Sequence, residues 1–267
     1  MEHVVLKFGG SICGQLPDSF FADVVHLQQQ EKWRPLIVHG GGPMISSLSD
    51  KLGLETQFVN GLRVTTDDML DVVEMVLSGL VNKQVVRRLL KFGGLGWGLS
   101  GIDGASIIAK IKDEQLGFVG EVVDVNPATF QLLHEQGYIP VLSPLGVDAQ
   151  GQRYNINGDT VAGAVASKFQ ARLIMISDIP GIYADADRQQ LLDKVTRQDV
   201  LEMIDQGIIS GGMIPKVQAA LYALEHGAPE VTIVNGLHEH ILQEISEGHA
   251  VGTKIVLEEE YSHVVQS

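Results

Sequence analysis

The chain contains a single cysteine, Cys13. An intrachain disulfide therefore cannot form, and zinc sites built from four cysteines, or from two cysteines and two histidines, are excluded. No apolar stretch reaches the roughly 18 residues that a membrane-spanning helix needs. The first residues also lack a basic segment followed by an apolar run, so no secretory signal is expected. These absences make the reducing cytoplasm the expected compartment, without a membrane partner.

Basic residues are scarce as well, because 19 Lys and Arg stand against 33 Asp and Glu and give a formal net charge of −14. Such an acidic chain is a poor partner for nucleic acid or for anionic membrane surfaces. Its 267 residues are 45% hydrophobic and 19% charged, which suits one large α/β domain or two joined lobes. The charge balance does not reveal the substrate, since a local cationic pocket can lie inside an acidic shell.

Short apolar runs alternate with helical patterns, which is typical of parallel β-strands joined by crossover helices. Val, Ile and Leu occupy successive positions in these runs, which indicates burial on both faces of an open, mainly parallel sheet. The predicted buried strands are Val4–Phe8, Pro35–His39, Tyr138–Ser143, Arg172–Ser177 and Glu230–Val234, and the predicted partly exposed strands are Glu121–Val125 and Gln152–Tyr154.

Helix signals fall between these runs. Pro17 and Pro43 mark first turns. Thr66 is predicted to cap a long helix that ends near Phe92. The apolar positions of this helix cover more than one face, so it is either a core helix or part of a dimer interface. Further helices are predicted after Asp159, Thr196, Gly212 and His238.

Two predicted strands run directly into glycine clusters that precede helices, at Gly9-Gly10 and at Gly40-Gly41-Gly42. Glycine lets backbone N–H groups approach an anion closely, and a helix N-terminus adds positive potential. Tight strand–helix turns also need glycine, but two such turns meet at the carboxyl edge of a parallel sheet, where ligands bind. The pair therefore predicts an anion site.

Two lysines lie beside such turns. Lys7 interrupts an apolar strand just before Gly9, and its alternatives are a snorkelling side chain or a cation aimed at the anion site. Lys216 follows Pro215 at the start of a helix, where the dipole disfavours a cation. An anion beside Lys216 would explain that placement.

Other polar residues could have either a functional or a purely structural role. Asp159 could be only a helix-capping or first-turn acid, and Asn155 and Asn157 only turn residues. Arg63 precedes the long helix and could grip a carboxylate bidentately, or lie on the surface. The segment Gly96–Gly101 spells a dinucleotide-binding pattern but follows the long helix, so no such site is expected.

Six segments, in order along the chain, resemble the acetylglutamate kinase family of the amino acid kinase superfamily. They are Lys7–Ser11, His39–Pro43, Asn60–Thr65, Asn155–Asp159, Ser177–Ile182 and Gly212–Lys216. The resemblance covers about residues 1–257 and implies a three-layer α/β/α sandwich. An N-terminal lobe of about residues 1–170 would bind the amino acid, and a C-terminal lobe of about 171–257 the nucleotide. Residues 258–267 are expected to be a flexible tail.

The resemblance also implies roles for individual residues. The expected catalytic residues are Lys7 and Lys216, which stabilise the transferring phosphoryl group, and Asp159, which holds both lysines. The expected substrate-binding residues are Gly41, Gly42, Arg63 and Asn155, and the expected phosphate-binding residues are Gly9, Gly10 and Gly40. The expected ATP-binding residues are Asp178, Ile179, Pro180, Gly181, Ile182, Tyr183, Ile208, Ile209 and Ser210.

The implied reaction is ATP-dependent phosphorylation of the side-chain carboxylate of N-acetyl-L-glutamate, an early step of arginine biosynthesis. A carboxylate with a pKa of about 4.3 is already ionised at neutral pH and needs no general base. Alignment and cations are what phosphoryl transfer then requires. Mg2+ is expected to arrive with ATP, held by phosphate oxygens and water rather than by a protein metal site.

The resemblance further implies a homodimer. Arginine-inhibited family members carry an extra N-terminal helix, whereas the first strand here begins about three residues in, so we expect no inhibition by arginine. Three alternatives stay open. The chain could be another acyl-phosphate-forming kinase, acting on carrier-linked aminoadipate or aspartate. It could be a catalytically silent regulatory member, or a nucleotide-binding module without a substrate pocket.

Overall fold

The computed structural model describes residues 1–185, 187 and 189–258. The strands are β1 (Glu2–Phe8), β2 (Trp33–His39), β3 (Phe58–Val59), β4 (Leu62–Arg63), β5 (Gly96–Ser100), β6 (Ile107–Ile111), β7 (Gly120–Val125), β8 (Ile139–Ser143), β9 (Leu145–Val147), β10 (Arg153–Asn155), β11 (Arg172–Ser177), β12 (Lys194–Thr196), β13 (Val231–Asn235) and β14 (Thr253–Val256). The predicted tail lies outside the described residues from residue 259 onwards.

The α-helices are α1 (Gly10–Cys13), α2 (Asp18–Gln29), α3 (Gly42–Lys51), α4 (Asp67–Glu74), α5 (Asn82–Lys91), α6 (Ala128–Glu135), α7 (Gly158–Phe169), α8 (Arg197–Asp205), α9 (Met213–Glu225) and α10 (Ile241–Ser246). A π-helical segment, Met75–Val81, joins α4 to α5 without a break. None of the helices in the described ranges is long and apolar enough to cross a membrane.

Eight strands form one central sheet in the order β12-β14-β13-β11-β1-β2-β8-β5. The strands from β13 to β5 are mutually parallel, whereas β14 runs antiparallel to β13 and pairs in parallel with β12 at the edge. The carboxyl ends of β1, β2, β8 and β11 therefore meet at one edge of the sheet. Lys7 lies in the centre of this arrangement, opposite Val38 on one side and Met175 on the other.

Helices cover both faces of the central sheet. In β1, Val5 packs in one core, while Val4, Leu6 and Phe8 pack in a second core on the opposite face. The first core includes residues of α6 to α9, and the second includes residues of α1 to α5 and α10. This alternation confirms the predicted α/β class with a mainly parallel sheet between two helical layers.

A smaller four-stranded sheet, in the order β10-β9-β6-β7, packs beside α7, and β3 and β4 form a separate hairpin. The predicted buried strands are confirmed within two residues at each end, and Arg172–Ser177 matches β11 at both ends. The pattern Gly96–Gly101 contains a strand that was not predicted, β5, at the edge of the sheet. It therefore forms no strand-to-helix glycine turn of the dinucleotide-binding kind.

The long helix begins as predicted. The Thr66 side chain accepts a hydrogen bond from the Met69 backbone N–H, which satisfies a free donor of the first turn. Most apolar side chains of this helix are buried in the second core, although Met75 and Leu80 are exposed. It is therefore a core helix that also presents apolar side chains at the surface.

Candidate active site

The side chains of Lys7, Asp159 and Lys216 converge at the carboxyl edge of β1. The Lys7 ammonium lies 2.5 Å from Asp159 Oδ1, and the Lys216 ammonium lies 3.5 Å from Asp159 Oδ2. Both Lys7 and Asp159 side chains are 5% exposed, and that of Lys216 is 18% exposed. One carboxylate thus bridges two lysines that are 209 residues apart in the chain, from position 7 to position 216.

Local structure explains why the three side chains meet. Asn157 caps α7, because its Oδ1 accepts hydrogen bonds from the backbone N–H groups of Asp159 and Thr160. Asp159 is therefore a first-turn residue rather than the cap. Helices α7 and α9 approach closely at Gly163, where an added Cβ would lie 2.8 Å from the Ala219 carbonyl oxygen. That close packing brings the start of α9, with Lys216, to the start of α7.

Burial and neighbouring charges have opposite effects on the pKa values of this cluster. Burial acts to raise the pKa of Asp159, but the charges of Lys7 and Lys216 outweigh it and hold that pKa below its ordinary value. Burial lowers the pKa of Lys7, the Asp159 carboxylate opposes that lowering, and the nearby Lys216 adds to it. Two lysine side chains face one carboxylate, so the carboxylate alone does not balance the cations and the cluster suits an anion.

The two glycine turns pack against each other beside this cluster. A Cβ added to Gly10 would lie 2.5 Å from Gly41 Cα, so the backbones meet at a distance that only glycine permits. The Gly40 N–H donates to the Phe8 carbonyl over 2.8 Å, which ties the end of β2 to the end of β1. The first N–H groups of α3, which begins at Gly42, have no partner within the helix and suit an anion.

A cavity of about 510 Å³ opens next to the turns. Eight of the predicted site residues line it, namely Lys7, Gly10, Gly40, Gly41, Gly42, Arg63, Asn155 and Asp159. Gly9 and Lys216 do not line the cavity, although Lys216 contacts Asp159, which does. The β3–β4 hairpin covers one side, where Phe58 and Leu62 contribute apolar surface.

Arg63 is buried, at 7% exposure, rather than lying on the surface. Its guanidinium donates to the Gly42 carbonyl over 3.1 Å, to Ser46 Oγ over 2.7 Å and to Thr56 Oγ1 over 3.2 Å. Burial lowers the pKa of Arg63, and Asp50 partly opposes this. Within the described residues no carboxylate forms an ion pair with the guanidinium, so its charge is available for a ligand.

Asn155 is held by a short chain of hydrogen bonds. Its Nδ2 donates to Thr65 Oγ1 over 3.0 Å, and the Thr65 hydroxyl donates to the Arg63 carbonyl over 2.9 Å. Thr65 is fully buried. The side chain of Asn155 is therefore oriented at the cavity wall with its carbonyl oxygen left for another donor.

The predicted ATP-binding residues lie outside this cavity. Asp178 to Tyr183 follow β11 at the same edge of the sheet, and Ile208 to Ser210 lie between α8 and α9. Ile182 and Ile209 are buried, and their N–H groups donate to Thr253 Oγ1 and to the Met203 carbonyl. These two residues contribute to packing, whereas Asp178 and Ser210 are exposed.

Sequence reasoning missed a buried polar cluster below the second glycine turn. Its members are His39, Asn82 and Ser143, and each is fully buried. Asn82 lies in the middle of the long helical pattern, where its polarity suggests a surface position. The only sequence signal available was a polar residue at a position of that helix otherwise suited to the core.

The sequence model of the amino acid kinase family matches residues 2–235, so the chain belongs to this family. A crystal structure of smu.665 from Streptococcus mutans UA159 has the same fold, with a TM-score of 0.84 and 30% identity. The match covers 96% of this chain and 99% of that one.

Two curated relatives place the chain in a narrower group within this family. Acetylglutamate kinase from Oceanobacillus iheyensis is 43% identical over 266 residues, which cover 99% of this chain and 100% of the relative. Acetylglutamate kinase from Halalkalibacterium halodurans is 49% identical over 235 residues, which cover 87% and 89%. Within the amino acid kinases, the chain belongs with the acetylglutamate kinases, as the resemblance of its motifs predicted.

Proposed function

We propose that the protein transfers the γ-phosphoryl group of ATP to the side-chain carboxylate of N-acetyl-L-glutamate. The products are N-acetyl-glutamyl 5-phosphate and ADP, in a step of arginine biosynthesis. The observation that carries this proposal is the bridging of Lys7 and Lys216 by Asp159 beside a cavity lined by Arg63 and Asn155. The kinship with acetylglutamate kinases supports it.

The two lysines stabilise the transferring phosphoryl group in this reaction, and Asp159 holds them in position. At an effective dielectric constant of about 20, a lysine about 4 Å from a phosphate charge contributes roughly 4 kcal/mol of gross Coulomb attraction. Only the part that grows in the transition state raises kcat. The substrate carboxylate is the nucleophile and is ionised at neutral pH, so no general base is needed.

N-acetylglutamate occupies the cavity in this proposal. Arg63, a buried cation without an ion-pair partner among the described residues, binds a carboxylate, because an unpaired buried charge is costly until an anion neutralises it. Asn155 and the N–H groups of Gly41 and Gly42 bind other polar groups of the amino acid. Gly9, Gly10 and Gly40 bind phosphate oxygens.

ATP binds, in the same proposal, to the lobe that follows residue 170, along Asp178–Tyr183 and Ile208–Ser210. Across the described part of the chain, no group of three or more His, Cys, Asp or Glu side chains is arranged to hold a metal ion. In this proposal Mg2+ arrives with ATP, held by phosphate oxygens and water, and neutralises part of the phosphate charge. The division into lobes at residues 170 and 171 is part of the proposal. The central sheet is continuous across it, because β1 pairs with β2 on one side and with β11 on the other.

We propose that the protein works as a homodimer in the cytoplasm. The edge strand β5 and the neighbouring helix expose Trp97, Met75 and Leu80, and a second copy of the chain can cover such apolar side chains at an open sheet edge. The cytoplasm supplies ATP and keeps the buried Cys13 reduced. Sedimentation at micromolar concentration tests the dimer, and the Trp97→Glu variant would then sediment as a monomer.

Trapping of the acyl phosphate with hydroxylamine tests the reaction. The assay contains ATP, Mg2+ and one acid at a time, namely N-acetylglutamate, glutamate, aspartate or aminoadipate. Hydroxamate formed with N-acetylglutamate and little with the other three supports the proposal. A different preferred acid would reassign the substrate within the family, and no hydroxamate with any acid would refute the activity.

A further inference from the structure

The buried cluster of His39, Asn82 and Ser143 lies directly under the Gly40–Gly42 turn. His39 ends β2, Ser143 ends β8, and Asn82 begins α5 just after the π-helical segment. The Asn82 side-chain Nδ2 lies 3.3 Å from His39 Nε2, and the Ser143 hydroxyl lies 3.2 Å from the same nitrogen. Three elements that are distant in sequence are thereby joined through one imidazole.

The orientation of the Asn82 amide is determined by its surroundings. Its Nδ2 faces the carbonyl oxygens of Val141 at 2.8 Å and Leu99 at 3.3 Å, which are acceptors. Its Oδ1 accepts from the Lys83 ammonium over 2.9 Å. The reversed amide would place its oxygen against two carbonyl oxygens, so Nδ2 is the atom that faces His39.

The Gly40 carbonyl determines the tautomer of His39. A carbonyl oxygen can only accept, and it lies 3.2 Å from His39 Nδ1, so the ring proton is on Nδ1 and is donated to Gly40. The unprotonated Nε2 then faces the Asn82 NH2 group and the Ser143 hydroxyl, both of which can donate. The ring is neutral, since burial lowers the pKa of His39 to about 4.

The hydrogen bond to the Gly40 carbonyl also orients the Gly41 N–H, because the two groups belong to the same peptide. In a planar trans peptide the C=O of one residue and the N–H of the next point in opposite directions. Holding the Gly40 carbonyl toward the buried imidazole therefore turns the Gly41 N–H away from it, toward the cavity that Gly41 lines. Glycine at position 41 has no Cβ to restrict this peptide, so without the imidazole it could rotate.

The π-helical segment completes the arrangement. The Ser143 hydroxyl, which lies 3.2 Å from His39 Nε2, is also 3.2 Å from the Leu77 carbonyl oxygen. A Cβ added to Gly41 would lie 2.7 Å from Leu77 Cδ2, so the same residue also packs against the turn. The side chain of Leu77 thus packs against the turn, and its backbone carbonyl contacts Ser143 in the cluster below. π-helical segments often occur at functional sites.

We propose that His39 is a positioning residue, which through its Nδ1–H fixes the Gly40–Gly41 peptide so that the Gly41 N–H points at the bound substrate. The inference rests on the proposed function, because it assigns that N–H to the amino-acid substrate. His39 does not touch the substrate, and it acts only through the glycine turn.

Two substitutions separate the role of each ring nitrogen. An asparagine at position 39 can place its amide NH2 near the position of Nδ1 and keep the bond to Gly40, whereas a glutamine reaches the position of Nε2 and loses that bond. Misplacement of a substrate-binding group by about 1 Å can lower the rate about 100-fold. We therefore expect His39→Gln to lower kcat/KM for N-acetylglutamate about 10- to 100-fold, and His39→Asn to stay within about 3-fold of the unchanged enzyme. The KM for ATP stays the same in both variants.

Equal kinetic losses in both variants, or losses shared equally between the two substrates, would overturn the proposal and indicate a purely structural histidine. Nitrogen NMR of histidine-labelled unchanged protein gives a second test that needs no variant to be active. The His39 resonances are assigned by through-bond correlation to the backbone of the unchanged protein, and we expect a protonated Nδ1 and an unprotonated Nε2 at neutral pH. The opposite tautomer or a charged ring overturns the proposal even if a variant does not fold. Hydroxamate formation by the unchanged enzyme tests the proposed function separately.

Discussion

The ammonium of Lys7 lies 2.5 Å from the carboxylate of Asp159, and both side chains are almost completely buried. A buried ion pair of this kind seldom contributes much net stability, because removing two charges from water offsets their attraction. Here one carboxylate faces two cations, since the second oxygen of Asp159 contacts another lysine, Lys216. The excess positive charge is the property that a site for two anionic reactants needs.

Removal of either lysine is expected to lower turnover without unfolding the protein. Lys7→Ala and Lys216→Ala should each lower kcat at least about 100-fold, by analogy with the loss of a preorganised transition-state donor. Lys168→Ala is a matched control, because Lys168 lies at the other end of α7 and pairs with Asp124 at the surface. Steady-state kinetics measure the effect, and near-normal turnover in either active-site variant would refute the role given to that lysine.

Asp159→Asn is expected to destabilise the fold as well as to lower turnover. The substitution leaves the buried Lys7 ammonium without its counter-ion, which typically costs about 3 to 5 kcal/mol. Adding Lys7→Met removes the orphaned charge, so the double variant should regain at least about 1 kcal/mol relative to Asp159→Asn. Urea unfolding of the four proteins in this cycle measures the free energies. A double variant less stable than Asp159→Asn would contradict the interpretation.

The centre of the large sheet was predictable because its five adjoining strands β13, β11, β1, β2 and β8 carry a local signal. Continuous Val, Ile and Leu runs mark these strands, which are buried on both faces. Strands β12 and β14, at one end of the sheet, were missed because they have only three and four residues. β5 was missed because its glycines look like a turn. Position 98 requires glycine because any side chain there would collide with Asn82. No local sequence pattern reveals this proximity.

The site was predictable to the extent that its residues lie in sequence motifs. The convergence of Lys7, Asp159 and Lys216 followed from glycine turns and the family resemblance, and these three residues are in contact. The cluster of His39 and Asn82 was not predicted, because its partners are separated by 43 residues and more. Hydrogen bonds between distant segments depend on tertiary packing, which a single sequence does not display.

Arg63→Ala should act mainly on binding of the amino acid. Loss of a charge-assisted hydrogen bond of about 1.5 to 3 kcal/mol corresponds to a KM for N-acetylglutamate raised about 10- to 100-fold. The KM for ATP should change little. Arg34→Ala is the control, because Arg34 is exposed near the opposite end of β2. A change in ATP affinity alone, with KM for the amino acid unaltered, would reassign Arg63.

His39 should make stability depend on pH below neutrality. Its pKa falls from the ordinary 6.5 to about 4 on folding, so between these values the unfolded chain binds more protons than the folded protein. Stability is therefore complete above pH 6.5 and is lost as the pH falls toward 4, by up to roughly 3 kcal/mol. Urea unfolding from pH 7 to 4.5 should show a steeper loss in the unchanged protein than in His39→Asn. Parallel pH profiles would mean that His39 titrates normally or that the ring leaves its buried position.

The close contact of the two glycine turns predicts an opposite outcome for two similar substitutions. In Gly10→Ala the new methyl group would meet the Gly41 backbone at 2.5 to 2.8 Å and force the turns apart. Displacement of the Gly41 N–H by about 1 Å should lower kcat/KM for N-acetylglutamate about 100-fold or more. Gly14→Ala, four residues along, has φ −77° and nothing within 4 Å of the added methyl group. It should keep full activity, and any common loss in both variants would show that the contact between Gly10 and Gly41 is not what sets the geometry of the site.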